Sequence, residues 1–193
     1  MTGEVLRYLT HPQVNIDPDI PVPEWSLSDV GAERVRNICG SAALIKTKRI
    51  VSSAETKATE AAQILGASLG VIPEIREKMH ENDRTSTGFL ESTAFEDMTD
   101  QFFANPDVSV KGWESATAAQ ARIVGEVQAV LASRKEGDLL LVGHGAVGTL
   151  LYCHFSGIPI DRKHDQTGGG GNFFTMEIAT LKVLHGWQAM EEI

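Results

Sequence analysis

The stretch LLLVGHGAVG (Leu139–Gly148) begins with four branched apolar residues and no polar alternation. Such a run reads as a strand buried on both faces, the kind found inside a parallel sheet. The strand takes in DLLLVG, and AVGTLLYCHF after it reads as a helix ended by Gly157. His144 stands at the junction, where an apolar strand has no need of an imidazole. VLRYLTHPQV, about 130 residues earlier, has the same form: a strand from Val5 to Leu9, then His11.

Between these two histidines the pattern keeps alternating. Residues Leu27 to Ile45 read as a helix capped by Ser28, and KRIVSS (Lys48–Ser53) as a second strand. AETKATEAAQILGASLG reads as a helix stopped by Gly70, and VIPEI as a short extended piece. From about His80 to Gly112 the chain is polar and irregular, with a short helix around FEDMTDQFFA; this segment reads as an insertion or lid. Ser115 to Arg134 reads as a long helix. NFFTMEIA and KVLHGWQAM read as a terminal hairpin at the sheet edge.

The expected fold is therefore α/β, a largely parallel sheet covered by helices on both faces, with an antiparallel edge near the C-terminus. In such sheets ligands bind beyond the carboxyl ends of the strands. His11, Ser53 and His144 all follow strands at that end. The tetraglycine Gly168–Gly171 precedes a strand instead of a helix, so it fails the phosphate-loop and dinucleotide templates.

Composition narrows the function classes. The 193 residues, 42% of them hydrophobic, suffice for one domain with a substantial core. A net charge of -9 disfavours nucleic acid as a partner, and the short basic run Lys46–Arg49 reads as a solvated turn. Cys39 and Cys153 form no CxxC pair, which speaks against a zinc site or a disulfide framework. No apolar run reaches the roughly 18 residues of a membrane span, and the start lacks a signal-like pattern. The expectation is a soluble cytoplasmic protein without metal or other cofactor. Its oligomeric state is open, a homodimer among the options.

Two histidines at one sheet edge suit phosphoryl transfer. A neutral imidazole attacks phosphorus and splits one displacement into two easier ones. A second, protonated histidine offsets charge on the transferring group.

At these residues the chain resembles the histidine phosphatase superfamily, the phosphoglycerate mutase-like family. Thr10-His11-Pro12 stands where the family has Arg-His-Gly. Leu27-Ser28-Asp29-Val30-Gly31 matches its Leu-Ser/Thr-x-x-Gly helix start, and Ser52 to Ala58 its Ser-Ser/Pro-x-x-x-Arg-Ala segment. Gly112-Trp113-Glu114-Ser115 is similar to its Gly-Glu-Ser helix start, and Leu141 to Gly145 to its second histidine motif. The resemblance implies a three-layer sandwich, His11 as the phosphorylated nucleophile and His144 as its electrostatic partner. It implies a general acid after the third strand, Glu81 first and Asp83 second.

The departures fall on the phosphate-holding groups. Thr10 and Lys57 occupy the places of two family arginines, and a point charge or a hydroxyl does not replace a planar fork. Pro12 removes a backbone N–H. Arg84 is the best-placed compensating cation, with Ser53 and the N–H groups of Gly145 and Ala146 as further contacts for the anion. The implied activity is metal-independent hydrolysis of a small phosphorylated metabolite. A phosphomutase and a catalytically weak anion-binding module are the alternatives.

Overall fold

The computed structural model describes residues 3–133 and 136–193. Six strands form a single sheet: β1 (Val5–Thr10), β2 (Thr47–Ser53), β3 (Glu74–Arg76), β4 (Asp138–Gly143), β5 (Asn172–Glu177) and β6 (Val183–Ala189). The order is β3-β2-β4-β1-β5-β6. The first four strands pair in parallel, β5 adds antiparallel to β1, and β6 adds antiparallel to β5. Every residue of β4, the strand of the LLLVG run, is buried.

The helices are α1 (Asp29–Ile38), α2 (Thr56–Leu69), α3 (Ser92–Ala104), α4 (Ala116–Ala132) and α5 (Gly145–Ser156). Alternation along the strands sends their side chains to two cores. Leu9, Ile50, Leu140 and Val142 pack with α1 and α2, while Leu6, Val51, Leu139 and Leu141 pack with α3, α4 and α5. Each such buried aliphatic side chain contributes about 1.5 to 3 kcal/mol relative to exposure. Three layers result, and α2 lies close to the sheet through Ala58, Ala61 and Ala62.

Ser28 caps α1 by accepting a hydrogen bond from the Gly31 N–H at 3.1 Å. A side chain at Gly31 would meet the Gln13 carbonyl at 2.1 Å, so this motif glycine lets the helix approach the loop after His11. The helix is shorter than expected. It ends at Ile38, and Ser41 caps a separate 3-10 turn, Ala42–Leu44.

Two further expectations are corrected. The Lys46–Arg49 run is largely strand, and Arg49 pairs with Glu74 at 2.7 Å. The helix within residues 80–112 is a full 13 residues, and its Met98, Phe102 and Phe103 enter the core. Those apolar residues recur at helical spacing, which the surrounding polar sequence masked. Arg134, the expected end of the fourth helix, lies outside the described residues. No helix among the described residues is long and apolar enough to cross a membrane.

Candidate active site

Strand register brings distant residues to one edge. Thr10 pairs with Gly143 and Ser52 with Val142, so the ends of β1, β2 and β4 lie side by side. The His11 N–H donates to the Gly143 carbonyl at 3.0 Å. Tyr8 of β1, three residues before His11, clamps the other histidine: its hydroxyl accepts from the His144 N–H and donates to the His144 carbonyl, each at 3.1 Å. Burial pushes the Tyr8 phenol far above its ordinary range, so the clamp stays neutral. The two imidazoles meet edge to face with centroids 5.2 Å apart.

The His11 tautomer follows from one contact. Its Nδ1 lies 2.9 Å from the Pro12 carbonyl oxygen, which only accepts, so Nδ1 carries the proton and Nε2 keeps its lone pair. Burial, reinforced by the charges of Lys57 and Arg84, lowers the His11 pKa to about 4. The ring is neutral near pH 7.

His144 is fully buried. Its Nε2 lies 2.8 Å from the Ser53 hydroxyl, while its Nδ1 has no hydrogen-bond partner among the described residues. Burial holds its pKa well below the ordinary value despite the pull of Glu55, so the free protein has a neutral His144. This corrects the expectation of a protonated partner: an imidazolium stripped of water needs more than one carboxylate at 3.5 Å.

Lys57 is also not the free cation its position suggested. Its ammonium donates to the Glu55 carboxylate at 2.5 Å and to the Val22 carbonyl at 2.8 Å. The other Glu55 oxygen accepts from the Glu81 N–H at 2.8 Å and faces His144 Nε2. The Lys57 ammonium, with the hydrogen bonds from it and from the Glu81 N–H, holds the Glu55 carboxyl far below the usual range, overriding its burial. A permanent anion thus sits among the groups expected to receive one.

Glu81 lies where α5 begins. Its carboxylate accepts from the Ala146 N–H at 3.1 Å and the Val147 N–H at 3.0 Å. The Ala146 N–H is therefore not open to a ligand, contrary to expectation. Burial raises the Glu81 pKa, outweighing Arg84 and those N–H donors. Asp83 is exposed, and hydrogen bonds from Thr85 lower its pKa, which leaves it poorly suited to hold a proton. The Arg84 guanidinium lies 4.8 Å above the Phe95 ring, and no ion pair of Arg84 is found among the described residues. Arg84 and Glu81 line a cleft of about 750 Å³ walled by Ile20, Pro21, Glu55 and Phe89.

Thr10 differs most from expectation. It is fully buried; its hydroxyl donates to Gln166 Oε1 at 2.7 Å and accepts from the Asn172 N–H at 3.0 Å. Its oxygen is spent on this network. The tetraglycine lies against His11: the Gly171 N–H donates to the His11 carbonyl at 3.0 Å. A side chain on Gly170, at φ 98°, would strike that same carbonyl at 2.5 Å. Arg7 lies at the far end of β1, paired with Asp138 at 3.0 Å.

Sequence reasoning missed Glu55, Tyr8 and Gln166. Glu55 lies two residues before Lys57 and was open to notice as an acid inside a presumed anion site. Gln166 left no local signal.

Comparisons with known proteins bear on the fold and the family. A search among curated proteins finds no match. Among solved structures, a mycobacterial glucosyl-3-phosphoglycerate phosphatase superposes with a TM-score of 0.78 at 18% identity, covering 96% of this chain and 99% of that one. Bacillus stearothermophilus YhfR gives 0.78 at 18%, covering 95% of each chain. A putative alpha-ribazole-5'-P phosphatase from Escherichia coli gives 0.70 at 15%, covering 97% and 96%. At these identities the likeness is one of fold. The family model for the histidine phosphatase superfamily (branch 1) matches residues 14–173, starting just past the altered Thr10-His11-Pro12 triplet. With most of its length matched by that model, and with two histidines meeting at the carboxyl edge of such a sheet, the chain belongs to the histidine phosphatase superfamily.

Proposed function

We propose that the protein is a phosphomonoesterase that forms a phosphohistidine on His11 Nε2. The observation that carries this reading is the His11 tautomer: Nδ1–H is held by Pro12, and the neutral Nε2 is left with its lone pair beside His144. In the first step Nε2 attacks phosphorus as the ester P–O bond breaks, and Glu81 gives its proton to the departing oxygen. In the second, water attacks the phosphorus of the P–N bond and Glu81 takes its proton, releasing orthophosphate and neutral His11. The unpartnered His144 Nδ1 is a ready contact for a phosphoryl oxygen.

Further support comes from relatives. Structures of the mycobacterial glucosyl-3-phosphoglycerate phosphatase include complexes with VO3 and with inorganic phosphate. The reaction needs no metal in this reading, because Arg84 and the histidines supply the electrostatic contacts. The loop around Phe89 shapes the cleft and selects the leaving group as part of a lid over residues 80–112. Two free thiols suit a reducing cytoplasm.

A second reading, a weak catalyst that mainly holds anions, is favoured by one observation: Glu55 already neutralises Lys57. Turnover separates the two. p-Nitrophenyl phosphate and a panel of metabolite phosphates are assayed with and without EDTA, alongside His11→Ala and His144→Ala. Hydrolysis that survives chelation, falls at least about a thousandfold in both variants and passes through acid-labile protein phosphate supports the esterase. Wild-type turnover by His11→Ala refutes it.

A further inference from the structure

Gln166 holds its side-chain amide in one orientation. The Asn172 side-chain nitrogen donates to the Thr167 carbonyl at 2.7 Å, which identifies that atom as the amide nitrogen. The Gln166 atom 3.1 Å from the same nitrogen must then be an acceptor, Oε1. The Thr10 hydroxyl donates to that oxygen too, at 2.7 Å. With Oε1 gripped by two donors, Nε2 has to point the other way.

That direction leads to the site. Nε2 lies 2.3 Å from where a side-chain carbon on Gly145 would stand, so it lies against the first residue of α5, directly after His144. Thr10, which holds the other end, directly precedes His11. The carboxamide therefore spans the gap between the two histidine-bearing junctions. No acceptor for Nε2 is found among the described residues, and Gln166 is only half-buried. Its backbone is held as well: the Gln166 N–H donates to Asp165, whose carboxylate accepts from Thr149 of α5, both at 2.8 Å.

We infer that the Gln166 Nε2 group is a neutral donor to the phosphoryl oxygens, seated by Thr10 and Asn172 and admitted by the missing side chain of Gly145. The inference rests on the esterase reading for its ligand, an oxyanion bound between His11 and His144. Thr10 is then a positioning residue and not itself a contact. A neutral amide in this place adds no charge to a site that already holds the paired Glu55 and Lys57. Arg84 need not reach this side of the anion.

The test uses orthophosphate and orthovanadate titrations of the full chain, with p-nitrophenyl phosphate turnover measured in parallel. Gln166→Glu keeps an oxygen for both Thr10 and Asn172 but puts a carboxylate oxygen where Nε2 was; Gln166→Ala removes donor and charge together. Oxyanion affinity is expected to fall about tenfold or more in Gln166→Ala and further in Gln166→Glu, as expected for a lost hydrogen bond to an anion. The Gln166→Glu deficit relative to wild type should shrink as pH falls and the carboxyl becomes an O–H donor, a recovery that a merely structural residue would not show. Thermal unfolding checks that both variants fold. Affinity within twofold of wild type in folded variants overturns the inference. If the wild type binds orthophosphate without hydrolysing esters, the esterase reading fails while the affinity ratios still decide the role of Gln166. A wild type that binds neither oxyanion overturns both.

Discussion

Replacing Glu55 by Gln should tighten oxyanion binding while weakening the fold. The carboxylate lies 3.5 Å from His144 Nε2. The far ring nitrogen is about 2 Å further on, and an oxygen hydrogen-bonded to it about 3 Å beyond that, which places a bound anion roughly 8 Å from Glu55. At an effective dielectric of about 20, like charges at that distance repel by about 2 kcal/mol, or roughly thirtyfold in Kd for each negative charge on the ligand. The same change leaves Lys57, 3% exposed, with only the Val22 carbonyl and one amide oxygen that it must share with the Glu81 N–H. Breaking one half of a buried ion pair costs about 3 kcal/mol or more, so the free variant should melt roughly 10 °C lower. Phosphate should restore more of that loss than it adds to the wild type, since its charge partly offsets the Lys57 cation left without Glu55. Isothermal titration with vanadate and thermal unfolding with and without phosphate read both effects. A folded Glu55→Gln protein whose vanadate affinity is unchanged or lower would refute the claim that Glu55 opposes the anion.

Three more outcomes follow from the same site. Activity should fall on the acid side as His11 protonates near pH 4, and on the alkaline side as Glu81 loses its proton at a pKa above the ordinary carboxyl value; Glu81→Gln should impair alkyl phosphates far more than p-nitrophenyl phosphate, whose leaving group needs little protonation. The folded protein keeps His11 neutral down to about 4, whereas the unfolded chain protonates it near 6.5. The unfolded state binds more protons in that window, so stability drops as pH falls through it, by up to about 3 kcal/mol; urea unfolding of His11→Gln should lack that share of the slope. Tyr8→Phe leaves the buried His144 N–H without a partner and its carbonyl with only the Gly148 N–H, and should cost about 1 to 3 kcal/mol in urea unfolding, with turnover reduced at saturating substrate.

Legibility in the sequence followed the range of the interaction. β4 was readable because four consecutive branched apolar residues suit only a strand covered on both sides, and the structure covers it. α2 was readable from its Ala and Glu content and its glycine stop. α3 was underestimated because its apolar residues, Met98, Phe102 and Phe103, are separated by the polar Thr99, Asp100 and Gln101, of which only the last two face water. Cys39-Gly40-Ser41 looked continuous with a helix, yet the serine caps the next turn.

For the site, the rule that ligands gather beyond strand ends predicted which edge to examine, and three strand-end side chains do meet there. What it could not convey is which side chains point at one another. Thr10 and Gln166 are 156 positions apart, and nothing near either residue advertises the hydrogen bond between them. Identity alone made Thr10 a weak stand-in for an arginine facing the anion; its burial makes it the seat of an amide instead. The same holds for charge. Lys57 counted as a cation in the sequence, but Glu55 is two residues away and its carboxylate reaches the ammonium, so the pair brings almost no net charge to the site. The useful quantity is the charge left after pairing: Arg84, which has no carboxylate partner among the described residues, set against a Glu81 whose burial favours the neutral form. A site balanced this closely to neutral should bind a phosphate monoanion with less penalty than a dianion. A rise in orthophosphate affinity as pH falls from 8 to 6 is the corresponding measurement; affinity that instead climbs with pH would mean that a cation outside this balance faces the anion.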